Sequence, residues 1–134
     1  METHNFTIFE QGPNERTHER IHVTLSSRGR LYFNPIAFEA LGKPLGVVLM
    51  FDEKQKAIGV LPSTMTRKET YRLRKMRASA GTYITALNFC RHFSINPTET
   101  LAFLGPRLNH DGVLILSLHH VQPVTRLWTK SKKN

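Results

Sequence analysis

The sequence predicts an α+β protein with short helices, built from two βαββ halves joined by a basic linker. Three observations predict it. Short β-rich runs bounded by Gly, Pro, Asn and Asp alternate with stretches long enough for only one or two helical turns. The order strand, turn, strand, short helix, strand, hairpin, strand fills residues 21–62, and a similar order begins again at residue 81. Gly29 to Lys43 also lies over Gly81 to Ile95 without a gap, at an offset of 52 residues. Only the leading glycine is identical. What repeats is the pattern of turn, short strand, short helix and stop, which points to an internal duplication.

The elements follow from local chemistry. Residues 1–20 are polar and read as an N-terminal arm, with a short strand open at Phe6 to Phe9. Ile21 to Leu25 alternates apolar and polar, as a half-buried strand does. Ser26 to Gly29 is a turn, and Arg30 to Phe33 is β-rich. Asn34 is a good N-cap and Pro35 suits the first helical position, so a helix runs to Leu41 with Ile36, Phe38 and Leu41 as its apolar contacts. Gly42 stands where a helix-terminating glycine belongs. Gly46 to Phe51 is a buried-strand run, Asp52 to Lys56 a polar hairpin connection, and Ala57 to Leu61 the returning strand, ended by Pro62.

In the second half, Gly81 to Thr85 is a turn plus a β-rich stretch. Ala86 to Phe93 is a helix with Leu87, Phe89, Cys90 and Phe93 apolar, and Ser94 to Pro97 breaks it. Strands are predicted at Thr100 to Leu104 and Val113 to Leu118, separated by turn signals at Gly105-Pro106 and Asn109 to Gly112. The chain thus divides into an arm (1–20), a first half (21–62), a basic linker (63–80), a second half (81–122) and a basic tail (123–134).

Charge supplies the first functional clue. The 134 residues carry 19 Lys and Arg against 10 Asp and Glu, a formal net charge of +9. Residues 1–66 are neutral on balance, so the whole excess sits in residues 67–134. Such clustering points to a polyanion, most often nucleic acid. A single cysteine, Cys90, excludes an internal disulfide and a Cys-rich zinc site, and a reducing cytoplasm is the simplest home. No apolar run reaches the ~18 residues of a membrane helix, and Met1 to Asn5 shows no basic region followed by an apolar stretch, so a secretory signal is not expected.

A more specific pattern lies in the first half. Gly29-Arg30 precedes the β triplet Leu31-Tyr32-Phe33. Pro35 opens a short helix that ends in Ala40-Leu41-Gly42. Two strands, Val47 to Phe51 and Ala57 to Leu61, then join through Asp52-Glu53. This resembles the AbrB-like swapped-hairpin DNA-binding family, which includes AbrB, SpoVT, MazE-type antitoxins and the two-copy MraZ regulators. The resemblance covers residues 21–62 and, more loosely, 80–120. It implies that each half is half of a small β-barrel and that the two halves interleave their hairpins. It also implies that arginines near the Gly-Arg turn and on the short helix approach DNA. Arg30 matches the turn arginine, whose second-half counterpart is Thr82. The helix position that is often basic holds Phe38-Glu39 in the first half and Cys90-Arg91 in the second, which leaves Arg91 as the helix candidate.

The strongest charge cluster is the linker. Between residues 67 and 77, Arg67, Lys68, Arg72, Arg74, Lys75 and Arg77 face one acidic residue, Glu69. Arginine forks onto phosphate or guanine, and Tyr71 can stack or donate to phosphate, so this segment reads as a phosphate-tracking arm. A solvated linker is the bland alternative. The tail adds Lys130, Lys132 and Lys133, with Trp128 able to stack on a base or dock on the core. The seven histidines show no metal-ligand spacing, and no nucleophile, phosphate-loop or metalloprotease motif is present. Cys90 falls on the apolar side of its helix, as a core thiol does.

The sequence therefore predicts a cytoplasmic, nucleoid-associated binding protein rather than an enzyme, without cofactor or metal. Its partner is duplex DNA, in the role of a transcriptional regulator or accessory factor. Two alternatives stand beside it: an RNA-binding or ribonucleoprotein component, and an antitoxin- or adaptor-type subunit that binds another protein. Two halves in one chain are compatible with a closed monomer or a homodimer.

Overall fold

Two antiparallel sheets and two short helices make up residues 20–124, the part of the chain that the computed structural model describes. The expected strand at Phe6 to Phe9 lies outside those residues. In chain order the elements are β1 (Val23–Leu25), β2 (Arg30–Phe33), α1 (Pro35–Ala40), β3 (Gly46–Asp52), β4 (Ala57–Ser63), β5 (Tyr71–Arg72), β6 (Arg74–Lys75), β7 (Thr82–Thr85), α2 (Leu87–His92), β8 (Leu101–Phe103), β9 (Arg107–Leu108), β10 (Leu114–Ser117) and β11 (Val121–Pro123). The protein is mostly β-sheet, within the predicted α+β class.

Local signals place the first elements. Ser26 Oγ accepts from the N–H groups of Arg28 and Arg30, and Gly29 adopts a positive φ of 83°, so the chain reverses tightly between β1 and β2. Asn34 Oδ1 accepts from Ala37 N–H at 2.8 Å, which caps α1, with Pro35 at its first position. The buried faces of α1 differ from expectation. Ala37 and Leu41 are buried, whereas Ile36 and Phe38 are only half-buried. Asp52 Oδ1 accepts from Lys54 and Gln55 N–H and shapes the β3–β4 hairpin.

Pro62 does not end its strand. β4 runs on to Ser63, and Pro62 pairs with Val47 of β3. On the other side β10 pairs only with residues 57–60, so β4 has an open edge at Pro62, where a missing N–H breaks no ladder bond.

The six-stranded sheet has the order β11-β8-β1-β2-β7-β6, and the five-stranded sheet the order β5-β3-β4-β10-β9. Their inner faces share one core. Val23, Leu25, Leu31, Phe33 and Ile84 come from the first sheet, and Val47, Ile58, Val60, Leu114 and Leu116 from the second, each at most 1% exposed. Burying a side chain of this kind contributes about 1.5–3 kcal/mol, so these rows dominate the stability of the fold. Phe51, Phe89 and Phe93 close the core beside α2 with edge-on and tilted ring contacts.

The 52-residue offset carries β2 onto β7 and α1 onto α2 residue for residue. It does not carry face onto face. Leu31 and Phe33 point inward from β2, but their aligned partners Tyr83 and Thr85 point outward from β7. The ladder explains this: Leu31 pairs with Ile84 and Phe33 with Thr82, so the inward set of β7 is shifted by one residue. A one-residue shift exchanges the two faces of a strand.

Residues 63–80, read as a linker, contain two strands. β5 pairs with β3 at the edge of the five-stranded sheet, and β6 pairs with β7 at the edge of the six-stranded sheet. Between them Leu73 donates its N–H to Leu45 O at 3.0 Å. Tyr71 and Leu73 pack against the core while Arg72 and Arg74 are exposed, so residues 71–75 form an extended segment crossing from one sheet to the other.

Candidate nucleic-acid interface

The crossing segment and the loops that flank it display the charge cluster of residues 67–77. Arg67, Lys68, Arg72, Arg74, Lys75 and Arg77 are all exposed. Among the described residues, no ion pair joins any of them to a carboxylate. Arg67 and Lys68 sit in a loop tied at its base by Thr70, whose hydroxyl reaches Ser63 Oγ at 2.9 Å and donates to Thr64 O at 3.1 Å. Arg72 and Arg74 project outward from the strand edges. Lys75 turns toward α1, where its ammonium lies 5.4 Å from the centre of the Phe38 ring. Arg77 stands in the loop between β6 and β7.

The other predicted residues fall elsewhere. Arg91 is exposed in the last turn of α2, on an element separate from the crossing segment. Tyr71 is half-buried and packs on the core, which withdraws that face of its ring from stacking. Burial, with a smaller contribution from Cys90, raises the pKa of its hydroxyl. Lys130, Lys132, Lys133 and Trp128 lie outside the described residues. Cys90 is buried, and burial raises the pKa of its thiol. Among the described residues no three His, Cys, Asp or Glu side chains gather as a metal site would require, and no helix is long and apolar enough to cross a membrane.

Arg30 belongs to a different surface, which sequence reasoning missed. On the outer face of the six-stranded sheet the pairing sets one row, Gln122, Ala102, Thr24, Tyr32, Tyr83 and Arg74, from β11 across to β6; Ala102 within it is buried, at 2% exposed. Tyr32 and Tyr83 are direct cross-strand partners with ring centres 5.9 Å apart. Arg30, two residues from Tyr32 on the same face, lays its guanidinium 4.7 Å from the centre of the Tyr83 ring. Arg74 pairs directly with Tyr83, so the crossing segment and the tyrosine pair share this face. None of the residues of β1, β2, β6 and β7 is acidic.

Beside Tyr32 the face deepens into an open groove of about 280 Å³, lined by His22, Thr24, Asn34, Met76 and Ser79 among others. Burial, and then the nearby Arg20 charge, hold the His22 imidazole below its usual pKa. The groove is therefore flanked by a histidine biased toward its neutral form. The signal for this face was present in Arg30-Leu31-Tyr32-Phe33 and Thr82-Tyr83-Ile84-Thr85. Each alternates, and in each the tyrosine takes the outward place.

No family model, curated protein or solved structure matches the chain.

Proposed function

We propose that the protein binds nucleic acid, in the first place duplex DNA, as a regulator or accessory factor in the cytoplasm. The observation that carries this reading is the segment 67–77: six exposed cations without a carboxylate partner among the described residues, three of them on an extended edge that spans both sheets. Unpaired cations held close together repel one another. Phosphates relieve that repulsion and release their own counterions, a gain that grows with the number of contacts. Arginine suits the task because its planar fork matches phosphate oxygens.

The finer architecture is part of the same proposal. Residues 21–62 and 81–122 act as two AbrB-like halves of one small barrel, with β2 of the first half and β7 of the second meeting in one ladder. Arg91 and the tail lysines Lys130, Lys132 and Lys133 add further phosphate contacts. The chain acts by binding and not by catalysis.

Charge reversal tests the proposal. The variant R72E/R74E/R77E changes only exposed side chains, so its thermal unfolding stays close to that of the parent. Binding to a random duplex at low salt falls about 100-fold or more, as loss of several phosphate contacts requires. Unchanged binding at low salt removes this segment as the interface.

A further inference from the structure

We propose that the outer face of the six-stranded sheet holds unpaired bases, so that the protein engages a single-stranded stretch of nucleic acid. The inference rests on the nucleic-acid reading of residues 67–77 and extends it from backbone to base.

The face has the parts that single-strand recognition uses. Stacking needs flat, partly exposed π surfaces on a rigid support, and every base can use them because every base has a π face. Tyr32 and Tyr83 provide two such rings on adjacent interior strands of the sheet, both half-buried and 5.9 Å apart. A strand interior fixes their backbone, so little ordering remains to be done on binding. The Arg30 guanidinium covers Tyr83 at 4.7 Å and is itself exposed, so it offers a second plane backed by an aromatic ring. Bases stack on arginine planes as they do on aromatic rings. The stack is therefore Tyr83, Arg30, base on one side and Tyr32, base on the other.

Charge complements this surface. Arg74 lies beside Tyr83 at the sheet edge, where the phosphate of a stacked nucleotide can reach it. Arg72 continues the cationic line onto the neighbouring sheet. No acidic residue occurs on the six strands that build the face. A purely apolar partner would leave Arg30 and Arg74 desolvated without compensation, and an acidic peptide would not use the ring faces. In the adjoining groove the His22 imidazole and the Thr24 hydroxyl give the next base polar partners at its edge.

A duplex hides its base faces, so the face acts only on unpaired nucleotides. This separates it from the phosphate-tracking segment, which serves either form. The test measures fluorescence anisotropy of a labelled mixed-sequence oligonucleotide of about 12 nucleotides, a length within the usual single-strand site range, alone and annealed to its complement. The proteins are the parent, Y32V/Y83V, Y32F/Y83F and Arg30→Lys. Valine keeps the β preference and removes the rings; phenylalanine keeps the rings; lysine keeps the charge and removes the plane.

Loss of one stacked base costs roughly 5- to 150-fold in affinity. The expected result is a loss in that range for the single strand with Y32V/Y83V, a smaller loss with Arg30→Lys, and parent-like affinity with Y32F/Y83F. Duplex affinity changes little in all three. Single-strand affinity unchanged in both Y32V/Y83V and Arg30→Lys overturns the inference and leaves the phosphate reading intact, and so does an equal loss for both forms. Failure of the parent to bind either form at low salt overturns the nucleic-acid reading itself and the inference with it.

Discussion

Asn34 joins α1 to β1 through a single oxygen: its Oδ1 accepts from Ala37 N–H at 2.8 Å and from His22 N–H at 3.2 Å. Its amide nitrogen donates to Arg20 O at 2.7 Å, and its backbone N–H donates to His22 O at 3.1 Å. One side chain thus caps a helix and pins the strand that borders the tyrosine face. A cap alone contributes about 1 kcal/mol. Asn34→Ala loses the cap and the clamp together, and its expected cost is about 2 kcal/mol. Asn34→Ser keeps the cap but cannot span to Arg20 O, so it falls between. Urea unfolding of the three proteins checks the ranking.

Gly29 and Gly42 separate two costs of replacing glycine. Both have positive φ, 83° and 88°, so alanine meets a strain of about 1–2 kcal/mol at either position. A Cβ at Gly42 meets nothing within 4 Å, but at Gly29 it lies 2.8 Å from Leu87 Cα, which cannot move without shifting α2. Gly29→Ala therefore destabilises by at least about 1 kcal/mol more than Gly42→Ala. Equal melting temperatures for the two variants would contradict the close approach of this turn to α2.

Thr82 is 2% exposed and its hydroxyl has no hydrogen-bond partner among the described residues. Leaving such a group unsatisfied costs about 1–3 kcal/mol, and replacing it with a methyl of the same shape removes the cost. Thr82→Val raises stability by about 1 kcal/mol. A loss of stability on denaturant unfolding would show that the hydroxyl is satisfied in solution.

Acid weakens the fold through His22 before the carboxylates begin to titrate. Its folded pKa is lowered from 6.5, first by burial and then by Arg20, so the unfolded chain takes up this proton more readily. The contribution is present in full above pH 6.5 and is lost as pH falls through the lowered value. The urea midpoint is flat near neutrality and declines as the pH falls below 6.5, and His22→Gln removes the decline attributable to this group. A parent protein whose midpoint rises over that range would have the opposite linkage.

The sequence disclosed whatever was locally encoded. Arg30 to Phe33, the Asn34-Pro35 helix start and the Asp52 to Lys56 hairpin appear where turn and cap chemistry placed them, because a few adjacent residues decide each. β5 and β6 were hidden, since the alternation Tyr71-Arg72-Leu73-Arg74 is short and lies inside a charge run. β9 and β11 are two and three residues long and owe their existence to their neighbours. Pro62 was read as a stop because the open edge of β4 depends on how far β10 extends. The tyrosine face was least legible. It needs Tyr32 to pair with Tyr83, a register between distant segments that exists only once the six-stranded sheet has assembled.

The salt dependence of duplex binding tests the central claim most directly. Engagement of the six cations in segment 67–77 predicts that log affinity falls linearly with log salt between about 50 and 200 mM, with a slope near −5. R72E/R74E/R77E reduces the binding and flattens what remains. Absence of binding at the low end of that range, or a parent slope close to zero, would contradict the account.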